Sequence, residues 1–282
     1  PQVAGQKSSS SPPTKNSKSP CKPKPSFRHK SKKAMDILSK IAESLPKGTF
    51  ENVAVGSHWI ASVVQTEKGR ACGLASTPTK SFLLDEEQRA HLAGLVGRDA
   101  NPALDSLLQA DDLLQRGIAL ATINALLPKE GAETRVDVNA GDVIIQRGRG
   151  KHVALVGHFP FVPEVRDKVG QLSVLELNPR EGDLPASEAP NIIPHADILA
   201  VTSMAFVNKT MDGLLALCRP ETHVIVIGPS TPLTALLFDV GVNMLCGSII
   251  ENIDAVVKSV LAGNGFRQIK KQGVRLVNLV ES

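Results

Sequence analysis

The side chains of this 282-residue chain that could do chemistry sit mostly just after short apolar runs. His158 and Phe159 follow "HVALVG", and Glu176 and Asn178 fall in "VLELNPREGDLP". Thr202 closes "DILAVT", with Asn208 and Thr210 a few residues on, and Ser230 and Thr231 stand between two prolines in "HVIVIGPSTPL". An imidazole can serve as a metal ligand, a general base or a hydrogen-bond donor, or it can be a structural residue bonded within its own loop. A carboxylate closing the second strand of a sheet receives ribose hydroxyls in nucleotide and S-adenosylmethionine sites, or pairs with a neighbour such as Arg180. Asn208 and Thr210 suit either ligand contact or the capping of a following helix.

The "GPSTPL" stretch raises a sharper question, because it carries two hydroxyls where a buried strand turns into a helical pattern. Thr231 is expected as the N-cap and Pro232 as the first helical residue. Capping accounts for one hydroxyl only. The expectation is therefore an anion cradle, formed by Ser230, Thr231 and the N–H groups of Leu233 and Thr234 at a helix N-terminus.

Several chemistries are not written in the spacing. "VGHFPF" puts His158, Phe159 and Pro160 where a dinucleotide fingerprint needs glycines. No H-x-x-x-H, H-E-x-x-H or C-x-x-C occurs, and Cys21, Cys72, Cys218 and Cys246 are scattered, Cys72 and Cys218 in apolar contexts that read as core. Metal binding is expected to rest on His158 or on a bound chelator. A site assembled across strands from His158, Glu176, Asp183 or His195 stays open. No nucleophile–base–acid set is legible.

The elements that must position these residues change character along the chain. Residues 1–33 are rich in Ser, Pro and Lys, lack an apolar h-region, and are expected to be a disordered, dispensable basic tail. Residues 34–128 read as a helix stopped by Pro46, a hairpin turning at 67–69, and further helices, which together make an α+β domain. Residues 129–150 read as a linker with room for one short helix. In 151–282, runs at 152–157, 172–177, 197–203, 223–228 and 242–247 alternate with helical stretches, and "VRLVNLV" at 274–280 adds an edge strand. That rhythm defines a doubly wound parallel sheet, whose ligands lie beyond the carboxyl ends of its strands.

Composition narrows the function classes. Aromatics are 3% of the chain, with one Trp and no Tyr, so surfaces for stacking bases are scarce. The nine basic residues of 1–33 account for the net charge of +4; the remaining 23 basic side chains face 28 acidic ones. Neither nucleic acid nor membrane is an expected partner. The cysteine usage fits a reducing cytoplasm, and a homodimer is compatible with everything above.

The motifs "VALVGHFPFVPEV", "LELNPREGDLP", "ADILAVTSMAFVNKTMDGLL" and "VIVIGPSTPL", together with "AVGSHWIASV", "GLAST" and "ALATINALL", resemble a prokaryotic family described as "putative heavy-metal chelation". The resemblance spans residues 35–280. It implies a Rossmann-like domain preceded by a smaller domain like the N-terminal domain of enolase, with a ligand cleft between them. One departure is "TSMAFVNKT", where the family pattern leads us to expect a glycine-containing turn and Met204 instead narrows the pocket. The implied function is small-ligand binding: heavy-metal chelation or chelator handling, with an anionic ligand or metal chelate in the cleft. The alternative is an enzyme using S-adenosylmethionine or a nucleotide-like substrate in the same place. The cofactors these readings admit are a divalent heavy metal or an S-adenosylmethionine-like ligand.

Overall fold

The computed structural model describes residues 36–78, 84–128 and 139–281; the basic tail and Cys21 lie outside them. The first described helix, α1 (Ile37–Glu43), is capped by Asp36, whose side chain accepts from the Ser39 N–H. Three antiparallel strands follow: β1 (Gly48–Val55), β2 (Trp59–Thr66) and β3 (Gly69–Ser76), paired in that order. The expected hairpin is thus a three-stranded sheet, because Gly56–Ser57–His58 makes a second turn. β1 escapes periodicity because a bulge between Phe50 and Asn52 breaks its alternation.

Next come α2 (Glu86–Leu95), α3 (Ala100–Gln109) and α4 (Leu113–Leu126). The break between α3 and α4 falls where Asp112 caps the Leu114 N–H. Helix α4 is buried almost all round, which suits an element with neighbours on both faces. One face lies on β2 and β3, and another meets a helix of the second sheet described below. Gly73 permits the first contact: a Cβ there would sit 2.2 Å from the Ala121 carbonyl oxygen.

Helix α5 (Ala140–Gly148) lies inside the stretch expected as a linker, and it buries Val143, Ile144 and Ile145 in the second core. The elements β4 (His152–Val156), α6 (Val162–Arg166), β5 (Gln171–Glu176), β6 (Leu184–Pro185), α7 (Ala189–Ile192), β7 (Ile198–Thr202), α8 (Met204–Val207), α9 (Met211–Leu215), β8 (His223–Ile227), β9 (Met244–Ile250), α10 (Ile253–Leu261), α11 (Phe266–Lys270) and β10 (Val274–Val280) complete the chain. Seven strands form one sheet in the order β10-β9-β8-β7-β4-β5-β6. All its pairs are parallel except β10 with β9, which makes "VRLVNLV" the antiparallel edge. The central strands are apolar throughout because helices or the α4 layer cover both faces. The architecture is therefore α/β: a Rossmann-like sheet preceded by a smaller α+β layer. No helix of the described residues is long and apolar enough to cross a membrane.

The "GPST" turn differs from its expectation. Gly228 turns the chain at φ +136°, and the Thr231 N–H closes back on the Gly228 carbonyl. Only after three further residues does a 3-10 helix start at Ala235, and its cap is Thr234. Thr231 caps nothing.

Candidate functional site

Strand β4 pairs with β5 on one side and with β7 on the other. Chain order therefore reverses between β4 and β7, and the crevice at their carboxyl ends is the topological switch point. There the chain leaves β4 through Gly157, at φ +101°, with its Cα hydrogens packed on the Thr202 side chain. A cavity of about 280 Å³ opens at this point. His158, Phe159, Glu176, Thr202, Asn208 and Thr210 line it, with Met204, Leu175, Leu177, Ala186, Ala189 and Leu214 as apolar walls.

Within this cavity wall His158 belongs to a dyad. Its Nδ1 lies 2.8 and 3.1 Å from the two carboxylate oxygens of Asp183. Asp183 also accepts the Arg180 N–H at 3.1 Å, within the tight "NPREGD" turn in which Gly182 adopts φ +82°. Burial alone would raise the Asp183 pKa. The bonds from Arg180 and His158, and the charges of His158 and Arg166, outweigh it and hold the carboxyl below its ordinary range. An ionised carboxylate only accepts, so Nδ1 is the donor, and in the neutral imidazole the Nε2 lone pair is then left available.

The other expected residues divide. Glu176 is half-buried, and its carboxylate accepts the Leu177 N–H at 3.2 Å. Thr202 Oγ1 accepts from the Met204 N–H, and the Thr210 hydroxyl donates to the Ala205 carbonyl. Between Asn208 and Thr210, Lys209 sits at φ +58°, the only non-glycine residue with positive φ among the described residues. Asn178 is exposed and His195 is exposed; neither lines the cavity.

Ser230 and Thr231 lie elsewhere, buried in the seam between the two sheets. Ser230 Oγ accepts the Ser76 N–H at 2.9 Å, and Asn124 Nδ2 donates to the Leu74 and Ser230 carbonyls. The Ser230 hydroxyl is thus spent in binding the small sheet to the large one, and the expected anion cradle does not form. Thr231 Oγ1 is buried without a partner among the described residues, beside a void of about 20 Å³. The two substitutions should therefore behave oppositely to the capping expectation. Ser230→Ala strands the Ser76 N–H and should cost about 1–3 kcal/mol in urea denaturation. Thr231→Val removes only an unmet hydroxyl and should change stability by less than about 1 kcal/mol. The reverse order would mean that Thr231, not Ser230, holds the seam.

A doubly wound sheet with a cavity at its switch point, joined to a small α+β layer, places the chain in the Rossmann-like class of α/β folds. Two family models, both described as "Putative heavy-metal chelation", match residues 38–127 and 139–278. The chain belongs to this family of two-part proteins. A solved protein of unknown function from the DUF364 family of Desulfitobacterium hafniense superposes with a TM-score of 0.73 at 24% identity, covering 87% of this chain and 97% of that one. Another from Pyrococcus horikoshii, also of unknown function, gives 0.67 at 20% identity over 84% and 94%. A search of curated proteins found no match.

Proposed function

We propose that the cavity at the end of β4 binds a metal that arrives already held by a small chelator, and that His158 Nε2 completes its coordination. The observation that carries this reading is the His158–Asp183 dyad, a carboxylate-oriented imidazole of the kind that serves metals. A lone imidazole is too little to hold a free ion, and among the described residues no group of three or more His, Cys, Asp or Glu could do so. The remaining donors must come with the ligand. Among the described residues no Lys or Arg lines the cavity while Glu176 does, so a metal chelate suits it better than a bare anion. The cysteines are poor rivals: burial pushes Cys218 up to about 11 and Cys246 up to about 12, so both thiols stay protonated. The reading includes a cytoplasmic setting and a small-molecule partner.

A second reading rests on Glu176. It ends β5 beside the switch point, with Leu175, Leu177, Ala186 and Ala189 around it, a setting that suits a ribose and a base. On that reading the ligand is S-adenosylmethionine-like and the protein is an enzyme.

The test is to purify the protein without added metal and identify what it retains by native mass spectrometry and elemental analysis. A metal and a small organic ligand leaving together in His158→Ala is the expected result. Metal lost only in Cys72→Ala/Cys218→Ala/Cys246→Ala would overturn the proposal, and an adenosine compound retained without metal would favour the second reading.

A further inference from the structure

A second cavity, of about 490 Å³, lies on the other side of Phe159. Phe159 lines both cavities and is their shared wall. The second one sits where the small sheet meets the carboxyl ends of β8 and β9, and its character is different. Of the chain's eight Phe and one Trp, four line it: Trp59, Phe159, Phe161 and Phe266. Phe159 and Phe161 are stacked with ring centroids 5.0 Å apart and planes 8° from parallel, and Trp59 meets Phe266 at 5.5 Å. In a chain with so few aromatics, this concentration around one opening is a built surface for a flat apolar body.

Two polar features give that body a direction. The Trp59 Nε1 is buried and has no hydrogen-bond partner among the described residues, which leaves a donor in the wall unmet there. Lys270 lines the same cavity, is exposed, and makes no ion pair among the described residues. We infer that this cavity is a second binding site, separate from the His158 cavity, for a flat aromatic carboxylate whose rings lie among the four aromatic side chains and whose anionic group meets Lys270. The Cys246 side chain is a neutral part of the wall, in keeping with its burial. Two sites sharing Phe159 would let an aromatic ligand in one sense occupancy of the other.

The chain supplies its own reporter. Trp59 is the only Trp and there is no Tyr, so intrinsic fluorescence comes from the wall of this cavity alone. Biphenyl-4-carboxylate and its neutral counterpart biphenyl-4-carboxamide would be titrated into the full chain. The expected result is a saturable change in Trp59 emission with the carboxylate, and binding of the carboxamide weaker by about tenfold, as for loss of a charge-assisted bond. Lys270→Gln, an exposed substitution that the fold will tolerate, should weaken the carboxylate to the level of the carboxamide and leave the carboxamide unchanged. His158→Ala should alter neither titration, so this site can fail while the chelate reading stands, and the reverse. No saturable change with either compound, equal affinity for both in the unsubstituted protein, or a Lys270→Gln protein that still prefers the carboxylate would overturn the inference.

Discussion

Replacing Arg116 by Met is expected to remove about 3–5 kcal/mol of stability, the cost of breaking a buried charged network by deleting one partner. Arg116 is only 1% exposed, yet its guanidinium is not in a conventional ion pair. Nε donates to the Val207 carbonyl at 3.0 Å, Nη2 to the Phe206 carbonyl at 2.9 Å, and Nη1 to the Leu108 carbonyl; Asp36 stands off at 3.9 Å. These carbonyls lie near the ends of α3 and α8, where helices leave acceptors unmet and where a cation suits the dipole. Burial lowers the Arg116 pKa, with Asp36 and Asp212 opposing, but a guanidinium remains charged at neutral pH. Met fills the volume and leaves three acceptors dry. Lys should recover less than half of the loss, because a single ammonium cannot reproduce a planar fork. Chemical denaturation of the Met and Lys variants decides the matter. A loss below about 1 kcal/mol for Met would show that those carbonyls find other donors. The prediction also reaches the cavity, since Phe206 and Val207 lead directly into Asn208 and Thr210 on its wall.

That chain of contacts explains which parts of the molecule could be read beforehand. The five central strands were legible because burial on both faces demands unbroken apolar runs, and polar stretches carrying short helices separate them. The cavity followed from topology alone: a rule about strand ends puts His158, Glu176 and Thr202 in one place, although 44 residues separate the first from the last of them. The rule could not say which polar residue at a strand end faces the cavity and which faces protein. Ser230 has the composition of a binding loop, and its partner Ser76 lies 154 residues away in a different sheet. Helix α5 matches the one short helix for which 129–150 had room, but its place in the second core was hidden, because the setting is polar and glycine-flanked and the apolar run Val143, Ile144 and Ile145 is too short to show a period. The aromatic cavity was invisible for the same reason as the seam. Trp59 and Phe266 come from opposite ends of the chain, and nothing local marks them as neighbours.

The dyad is the place where a small chemical change should have the largest effect on binding. Asp183→Asn is expected to weaken uptake of nickel nitrilotriacetate, a chelate with open coordination positions, by about 10–100-fold, the usual cost of losing the carboxylate behind a metal-ligating imidazole. An amide can turn its NH2 toward Nδ1 and draw the proton onto Nε2, which leaves no lone pair for the metal. His158→Ala should remove the specific component altogether. Exposed imidazoles such as His91 will bind the probe weakly, so His91→Ala sets the background in the same isothermal titration. The depressed pKa of Asp183 gives an independent signature. Its ionised form is favoured in the folded state, so its contribution to stability is present above the ordinary carboxyl pKa of about 4 and is lost as pH falls through the lower folded value. Denaturation curves between neutral and acid pH should show an acid-induced loss in the unsubstituted protein that is smaller in Asp183→Asn. If the Asn variant takes up the chelate as well as the parent does and also shows the lower acid sensitivity, then the carboxylate serves the fold of the "NPREGD" turn only. His158 would then be a loop residue held in place, not a ligand held ready.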